Sequence, residues 1–65
     1  MKIGIIGIGH LGEALATGYA RAGLAADVTV SPRNATKSAA LNAEHGIKVA
    51  ETNDDVVRAS DVVII

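Results

Sequence analysis

A glycine motif near the start of the chain is the first stretch whose residue types could do chemistry. Residues 7–12 follow the pattern G-x-G-x-x-G, which can hold a phosphate where a strand meets a helix. Gly7 would permit a tight turn, Gly9 would admit a pyrophosphate to the backbone, and Gly12 would let the helix pack closely. Amides around Gly9, His10 and Leu11 would face the anion at the positive helix end. The alternative is a strand-to-helix turn without a ligand.

A second polar group follows roughly twenty residues later, where a dinucleotide site selects its cofactor. NAD sites usually have Asp or Glu at the end of the second strand, and Ser31 holds that position here. No carboxylate would therefore repel a 2′-phosphate, whereas Arg33 can pair with one, and Ser31 and Asn34 can donate to it. The sequence predicts NADP(H) rather than NAD(H). The alternative is that Arg33 is a solvated loop residue and Asn34 only a helix cap.

The remaining titratable residues give weaker signals. His10 begins the first predicted helix, where the dipole disfavours a charged imidazole, so we expect a neutral cofactor contact or no role. His45 lies at a predicted helix end, which indicates capping or solvent exposure. Asp54 and Asp55 are adjacent on a helix and point apart, so the helix dipole explains them. No metal site and no catalytic residue is predicted.

The elements that must position these residues alternate in type. We predict strands at 2–8, 28–30, 47–49 and 62–65, and helices at 10–22, 35–45 and from about 53 to 59. Thr52 or Asn53 would cap the last helix, and Gly23 and Gly46 would end the first two. The buried stripe of the first helix is predicted to comprise Leu11, Leu15, Gly18 and Ala22, with Tyr19 beside it.

This β-α-β-α-β-α-β order predicts an α/β fold with a parallel sheet and right-handed crossovers. The first and last strands are apolar on both faces and should be central, whereas the second and third alternate and should be lateral. A strand order of 3-2-1-4 meets these conditions. This is the strand order of one half of a Rossmann-type doubly wound sheet, together with the first strand beyond the point where the strand order reverses.

Composition narrows the functional classes. The chain has 65 residues, a net charge of −1 and no cysteine. No basic stripe indicates nucleic acid, and no apolar run has the ~20 residues that span a bilayer. Lack of cysteine fits a reducing compartment, so a cytoplasmic location is predicted. Because the chain ends in an apolar strand, we expect residues 1–65 to be the N-terminal part of a dinucleotide-binding domain in a longer protein.

Three segments together resemble the N-terminal half-domain of pyrroline-5-carboxylate reductases. They are IGIIGIGHLGEALATGYARAGL, VSPRNATKSAAL and GIKVAETNDDVVRASDVVII, which cover nearly the whole chain. Two local features support the resemblance: the six residues 24–29 between Gly23 and Val30, and the Thr-Asn pair of ETNDDVV. The resemblance implies that Asn53 lies at the adenosine side of the cofactor and that residues 31–34 form the loop for the NADP phosphate.

Two positions depart from the reductase pattern. His10 stands where these reductases usually have Asn or Gln, and Leu11-Gly12 replaces a pair that is often Met-Ala. The glycine makes the turn more similar to F420-dependent NADP reductases and β-hydroxyacid dehydrogenases, which share this domain type. The departures leave the phosphate site intact and leave the substrate open among these enzymes.

The resemblance implies hydride transfer from NADPH to the C=N bond of 1-pyrroline-5-carboxylate, which gives proline. It also implies a C-terminal helical domain that forms a homo-oligomer and completes the site for a small-molecule substrate. Two alternatives remain. One is another NADP-dependent oxidoreductase of the F420-dependent or β-hydroxyacid type, and the other is a non-catalytic nucleotide-binding module, because fold does not fix function.

Overall fold

The computed structural model describes the chain except for Ile8, Arg33 and Asn34, and it describes His10 in its backbone alone. In the described part, strands and α-helices alternate as predicted. The elements are β1 (Ile3–Ile5), α1 (His10–Arg21), β2 (Val28–Val30), α2 (Ala35–His45), β3 (Lys48–Val49), α3 (Asn53–Ala59) and β4 (Val62–Ile64). A 3-10 turn, Ala25–Asp27, leads into β2.

The four strands form one parallel sheet in the order β3-β2-β1-β4. This confirms the predicted order 3-2-1-4 and the Rossmann-like fold. Alternate residues of β1 face opposite layers: Ile3 and Ile5 join the core cluster that contains Ala16 of α1 and Leu41 of α2. Gly4 faces α3 on the other side. The two-layered covering explains why β1 is buried along its whole length.

The buried face of α1 differs from the predicted stripe. Ala16 is fully buried and Gly12 is also buried, whereas Leu11 is 73% exposed. Gly18 and Ala22, which were predicted to be buried, are exposed. The prediction was wrong because it gave most weight to large side chains, while the small residues let the helix backbone approach the sheet closely.

The first and last strands are shorter than the sequence predicts. β1 stops at Ile5 rather than running to residue 8, because the glycine turn begins there. β4 pairs with β1 alone among the described strands, so Val62 is 43% exposed and Ile64 is half-buried. The central burial predicted for β4 is therefore not seen.

Helix ends agree with the predicted signals where the structure describes them. Gly23 and Gly46 have φ angles of +83° and +70°, which are typical of residues that follow a helix. Thr52, rather than Asn53, caps α3: its Oγ1 accepts a hydrogen bond from the Asp55 amide at 3.1 Å. The predicted cap of α2, Asn34, lies outside the described residues. No helix in the described part is long and apolar enough to cross a membrane.

Candidate functional site

The candidate site lies where β1 and β4 end side by side. From β1 the chain passes to β2 on one side of β1, and it later returns through α3 to β4 on the other side of β1. Such a reversal at the carboxyl edge of a parallel sheet leaves a crevice in which ligands bind. The Ile6 amide donates to the Ile64 carbonyl oxygen at 2.8 Å, so the two strands stay paired up to the edge of this crevice.

The glycine motif forms the turn that leads from β1 to α1. Gly7 has a φ of +78°, which favours glycine. Gly9 is the N-cap residue, and its carbonyl oxygen accepts the first helical hydrogen bond, from the Glu13 amide at 2.9 Å. Three amides at the start of the helix precede this bond and therefore have no acceptor within α1. They belong to His10, Leu11 and Gly12.

One part of the predicted anion site is corrected by this turn. The Gly9 amide was expected to face the anion, but it donates to the Gly7 carbonyl oxygen at 2.9 Å. It is already used to close the turn, so the amides available at the helix end begin at His10. The helix end still presents a cluster of N–H groups and the positive pole of α1 to the crevice.

A cleft of about 230 Å³ lies in front of this turn. A β-carbon built at Gly9 would have no atom within 4 Å, so a side chain there would project into open space. Leu11, which is 73% exposed, is placed along this cleft rather than in the core. The residues that line the cleft are Ile5, Ile6, Gly7, Gly9, Leu11, Gly12, Leu15, Ile64 and Ile65.

These features fit a dinucleotide. The packing of the protein does not require a glycine at position 9, because nothing in the described structure occupies the space that a β-carbon would enter. A pyrophosphate that approaches the backbone does require it. The cleft wall is mostly apolar, which suits a ring system, and the helix end supplies hydrogen-bond donors for the phosphates.

Ser31 directly follows β2 at the same edge of the sheet. Its amide donates to the Ile5 carbonyl oxygen at 2.9 Å, and its own carbonyl oxygen accepts from Ser38 Oγ at 2.7 Å. The whole residue is buried. A direct contact between the Ser31 hydroxyl and a 2′-phosphate stays a prediction, and the burial favours a supporting role for Ser31.

The other predicted cofactor contacts are only partly placed. Arg33, Asn34 and the His10 side chain lie outside the described residues, so their roles stay predictions. Asn53 is exposed in the first turn of α3, which follows the carboxyl end of β3. Because parallel strands end at the same edge, Asn53 is on the edge that also carries Ser31.

The described acidic residues lie at both edges of the sheet, and Asp54 and Asp55 are in the first turn of α3 beside Asn53, at the carboxyl edge. Asp27 precedes β2 and lies at the opposite, amino edge of the sheet, far from the site of a ribose. Asp55 is 3.4 Å from Arg58 Nη1 and belongs to the first turn of α3. In the described residues no three His, Asp or Glu side chains are grouped closely enough to hold a metal ion.

Sequence reasoning missed one residue that supports the site and one that sets how α3 packs on β1. Ser38 was predicted only as part of a helix, yet it contacts the residue that begins the β2–α2 loop. Gly4 was predicted only as a strand residue, yet it is where α3 meets β1. The sequence signals were a serine among alanines for Ser38 and a glycine within a strand for Gly4.

A parallel sheet in this order, with a glycine turn at its reversal point, defines a Rossmann-like α/β fold of the class that places nucleotides at this edge. The chain belongs to the family described as NADP oxidoreductase, coenzyme F420-dependent, whose sequence model matches residues 2–65. Membership in this family implies a site for a nicotinamide nucleotide.

A curated relative supports the resemblance drawn from the sequence. The chain is 39% identical over 64 residues to the pyrroline-5-carboxylate reductase of Pisum sativum. The match covers 95% of this chain and 23% of the pea enzyme. The chain thus corresponds to less than a quarter of that relative's length.

Proposed function

We propose that this chain is the cofactor-binding part of an NADPH-dependent reductase that converts 1-pyrroline-5-carboxylate to proline. When bound, NADPH would supply the hydride that reduces the C=N bond. The single observation that carries the proposal is the glycine turn between β1 and α1, which opens onto the crevice beside β4. Residues of this chain would bind and orient the cofactor, and the substrate site would be completed elsewhere.

The pyrophosphate would bind at the start of α1. Gly9 leaves its approach open, and the amides of His10, Leu11 and Gly12 precede the first helical hydrogen bond. These donors and the helix dipole both favour an anion. Leu11 would cover one side of the bound nucleotide, which accounts for a large apolar side chain that is 73% exposed.

The β2–α2 loop would select NADPH over NADH. A neutral residue, Ser31, directly follows β2, and the carboxylate of Asp27 is at the opposite edge. Arg33 and Asn34 follow in sequence and have the chemistry to pair with a 2′-phosphate. Asn53 would contribute at the adenosine side, as the resemblance implies.

The similarity to the pea reductase favours 1-pyrroline-5-carboxylate as the substrate. A second candidate is hydride transfer between NADP and coenzyme F420, which the family description favours and with which Gly12 agrees. Both candidates use the same cofactor edge. They differ in the partner that exchanges a hydride with the nicotinamide.

The wider organisation follows from the same proposal. Residues 1–65 would be the first part of a dinucleotide-binding domain, followed by a C-terminal helical domain that forms a homo-oligomer. The protein would act in the cytoplasm on a small-molecule substrate.

The test is a side-by-side titration of the protein with NADPH and NADH at one salt concentration, followed by turnover assays. We expect tighter NADPH binding and NADPH oxidation that depends on 1-pyrroline-5-carboxylate. NADPH oxidation with oxidised F420 and none with the imine would select the second candidate. Binding without turnover of either substrate would support a non-catalytic nucleotide-binding module, and equal or absent binding of both cofactors would refute the assignment of the loop or the turn.

A further inference from the structure

Two polar side chains of α2, one buried and one largely exposed, tie this helix to opposite edges of the sheet. Ser38 Oγ donates to the Ser31 carbonyl oxygen at 2.7 Å, just beyond the carboxyl end of β2. One helical turn later, Asn42 Nδ2 donates to the Ile47 carbonyl oxygen at 2.9 Å, just before the amino end of β3. The first bond is therefore at the cofactor edge and the second is away from it.

The serine hydroxyl is not needed for the helix itself. α2 already contains Ala35, Ala39, Ala40 and Ala43, and alanine is a better helix former than serine. Ser38 is only 1% exposed, so its hydroxyl has almost no contact with solvent. A buried hydroxyl requires a partner, and the Ser31 carbonyl oxygen is that partner.

The bond fixes the peptide plane from which the β2–α2 loop departs. On one side, the Ser31 amide is held by the Ile5 carbonyl oxygen at 2.9 Å; on the other, its carbonyl is held by Ser38. The next residue is Pro32, whose ring fixes φ near −65°. The Ser31 peptide plane and the Pro32 φ are therefore both set at the point where the β2–α2 loop begins.

We propose that Ser38 is a positioning residue that determines the preference for NADPH over NADH. It would act through the Ser31 carbonyl and would not itself touch the cofactor. This inference rests on the proposed function, because it assumes that the loop after Ser31 contacts the 2′-phosphate. A contact that depends on direction, such as a guanidinium–phosphate pair, weakens when its supporting residues are loosened.

The expected effect is on selectivity. Removing the Ser38 hydroxyl should lower the affinity for NADPH about threefold to tenfold, the range for loss of one buried hydrogen bond. The affinity for NADH should change less than about twofold, because NADH has no 2′-phosphate and is held chiefly by the glycine turn.

The experiment measures the dissociation constants of NADPH and NADH for the unmodified protein, Ser38→Ala, Ser38→Thr and Asn42→Ala. Asn42→Ala is the matched control, since it removes the same kind of bond from the same helix at the opposite edge. Ser38→Thr keeps the hydroxyl donor and adds one methyl group beside a groove that Pro32 and Val49 also line. If Ser38→Ala does not fold, Ser38→Cys keeps the size with a much weaker donor.

A reduced ratio of NADPH to NADH affinity in Ser38→Ala, with near-normal ratios in Ser38→Thr and Asn42→Ala, would support the proposal. An unchanged ratio in Ser38→Ala, in a protein that otherwise prefers NADPH, would overturn it and leave the proposed function intact. Equal losses for both cofactors would also overturn it, because they indicate a purely structural bond. No NADPH preference in the unmodified protein would overturn the proposed function and this inference together.

Discussion

Gly4 of β1 lies directly against Ser60, the C-cap residue that follows α3. A β-carbon built at Gly4 would overlap Ser60 Oγ and would lie 2.7 Å from Cγ1 of Val56. Ser60 cannot turn aside freely, because its hydroxyl donates to the Val56 carbonyl oxygen at 2.6 Å. The absence of a side chain at Gly4 thus sets how closely α3 packs on the central strand.

Gly4→Ala should therefore destabilise the protein. The extra methyl group would force α3 away from β1 or break the Ser60 hydrogen bond, and overpacking of this kind costs about 1–3 kcal/mol. Chemical denaturation would measure the change in the free energy of unfolding. Gly18→Ala is the control: it lies within α1, has open space around it, and should be stabilising by roughly 0.5–1 kcal/mol. Equal stability of the two variants would contradict the packing argument.

Gly9→Val should abolish binding of both cofactors while the protein stays folded. The backbone of Gly9 is extended, with φ −102° and ψ −160°, which valine tolerates, and nothing lies within 4 Å of the added β-carbon. The side chain would instead occupy the approach of the pyrophosphate. Cofactor titration and a thermal melt of the same variant would separate the two effects. Unchanged affinity would reduce the motif to a turn without a ligand.

Patterns that depend on the backbone were predictable from the sequence. The alternation of elements predicted a parallel sheet, the apolar pattern of the strands predicted its order, and Gly23 and Gly46 marked the ends of α1 and α2. The face of α1 was not predictable in the same way: alanine and leucine are both apolar, and only the distance between helix and sheet decides that Ala16 is buried and Leu11 exposed. The close approach of α3 to β1 at Gly4 likewise depends on how the elements pack in the folded protein, which local sequence patterns do not specify.

The candidate site likewise has some features that the sequence predicts and others that depend on the folded structure. The glycine spacing located the turn, and Gly7 has a local backbone reason in its φ of +78°, whereas nothing in the described structure requires a glycine at position 9. The Gly9 amide was misassigned, since its bond to the Gly7 carbonyl oxygen depends on the folded turn. The tie between Ser38 and Ser31 joins residues seven apart and leaves no periodic signal.

Arg33→Ala should weaken NADPH far more than NADH. A charge-assisted pair with a phosphate contributes about 1.5–3 kcal/mol, which corresponds to roughly tenfold to a hundredfold in affinity. The loss should shrink as salt rises, because added ions screen the charge pair. Arg21→Ala is the matched control, since it removes the same charge from the far end of α1. Equal losses of NADPH and NADH affinity in Arg33→Ala would refute the 2′-phosphate assignment.

Thr52 and Asn53 are neighbours whose substitution should have opposite consequences. Thr52 Oγ1 caps α3 through the Asp55 amide at 3.1 Å, so Thr52→Ala should cost about 1 kcal/mol of stability and leave cofactor affinity nearly unchanged. Asn53 is exposed and does not make this cap, so Asn53→Ala should leave the unfolding midpoint in place. Its effect should appear in the affinity for both cofactors, because the adenosine is common to NADPH and NADH.

Denaturation and cofactor titration of both variants measure the two quantities separately. Loss of stability in Asn53→Ala with unchanged cofactor affinity would show that Asn53 supports the helix and would remove it from the candidate site.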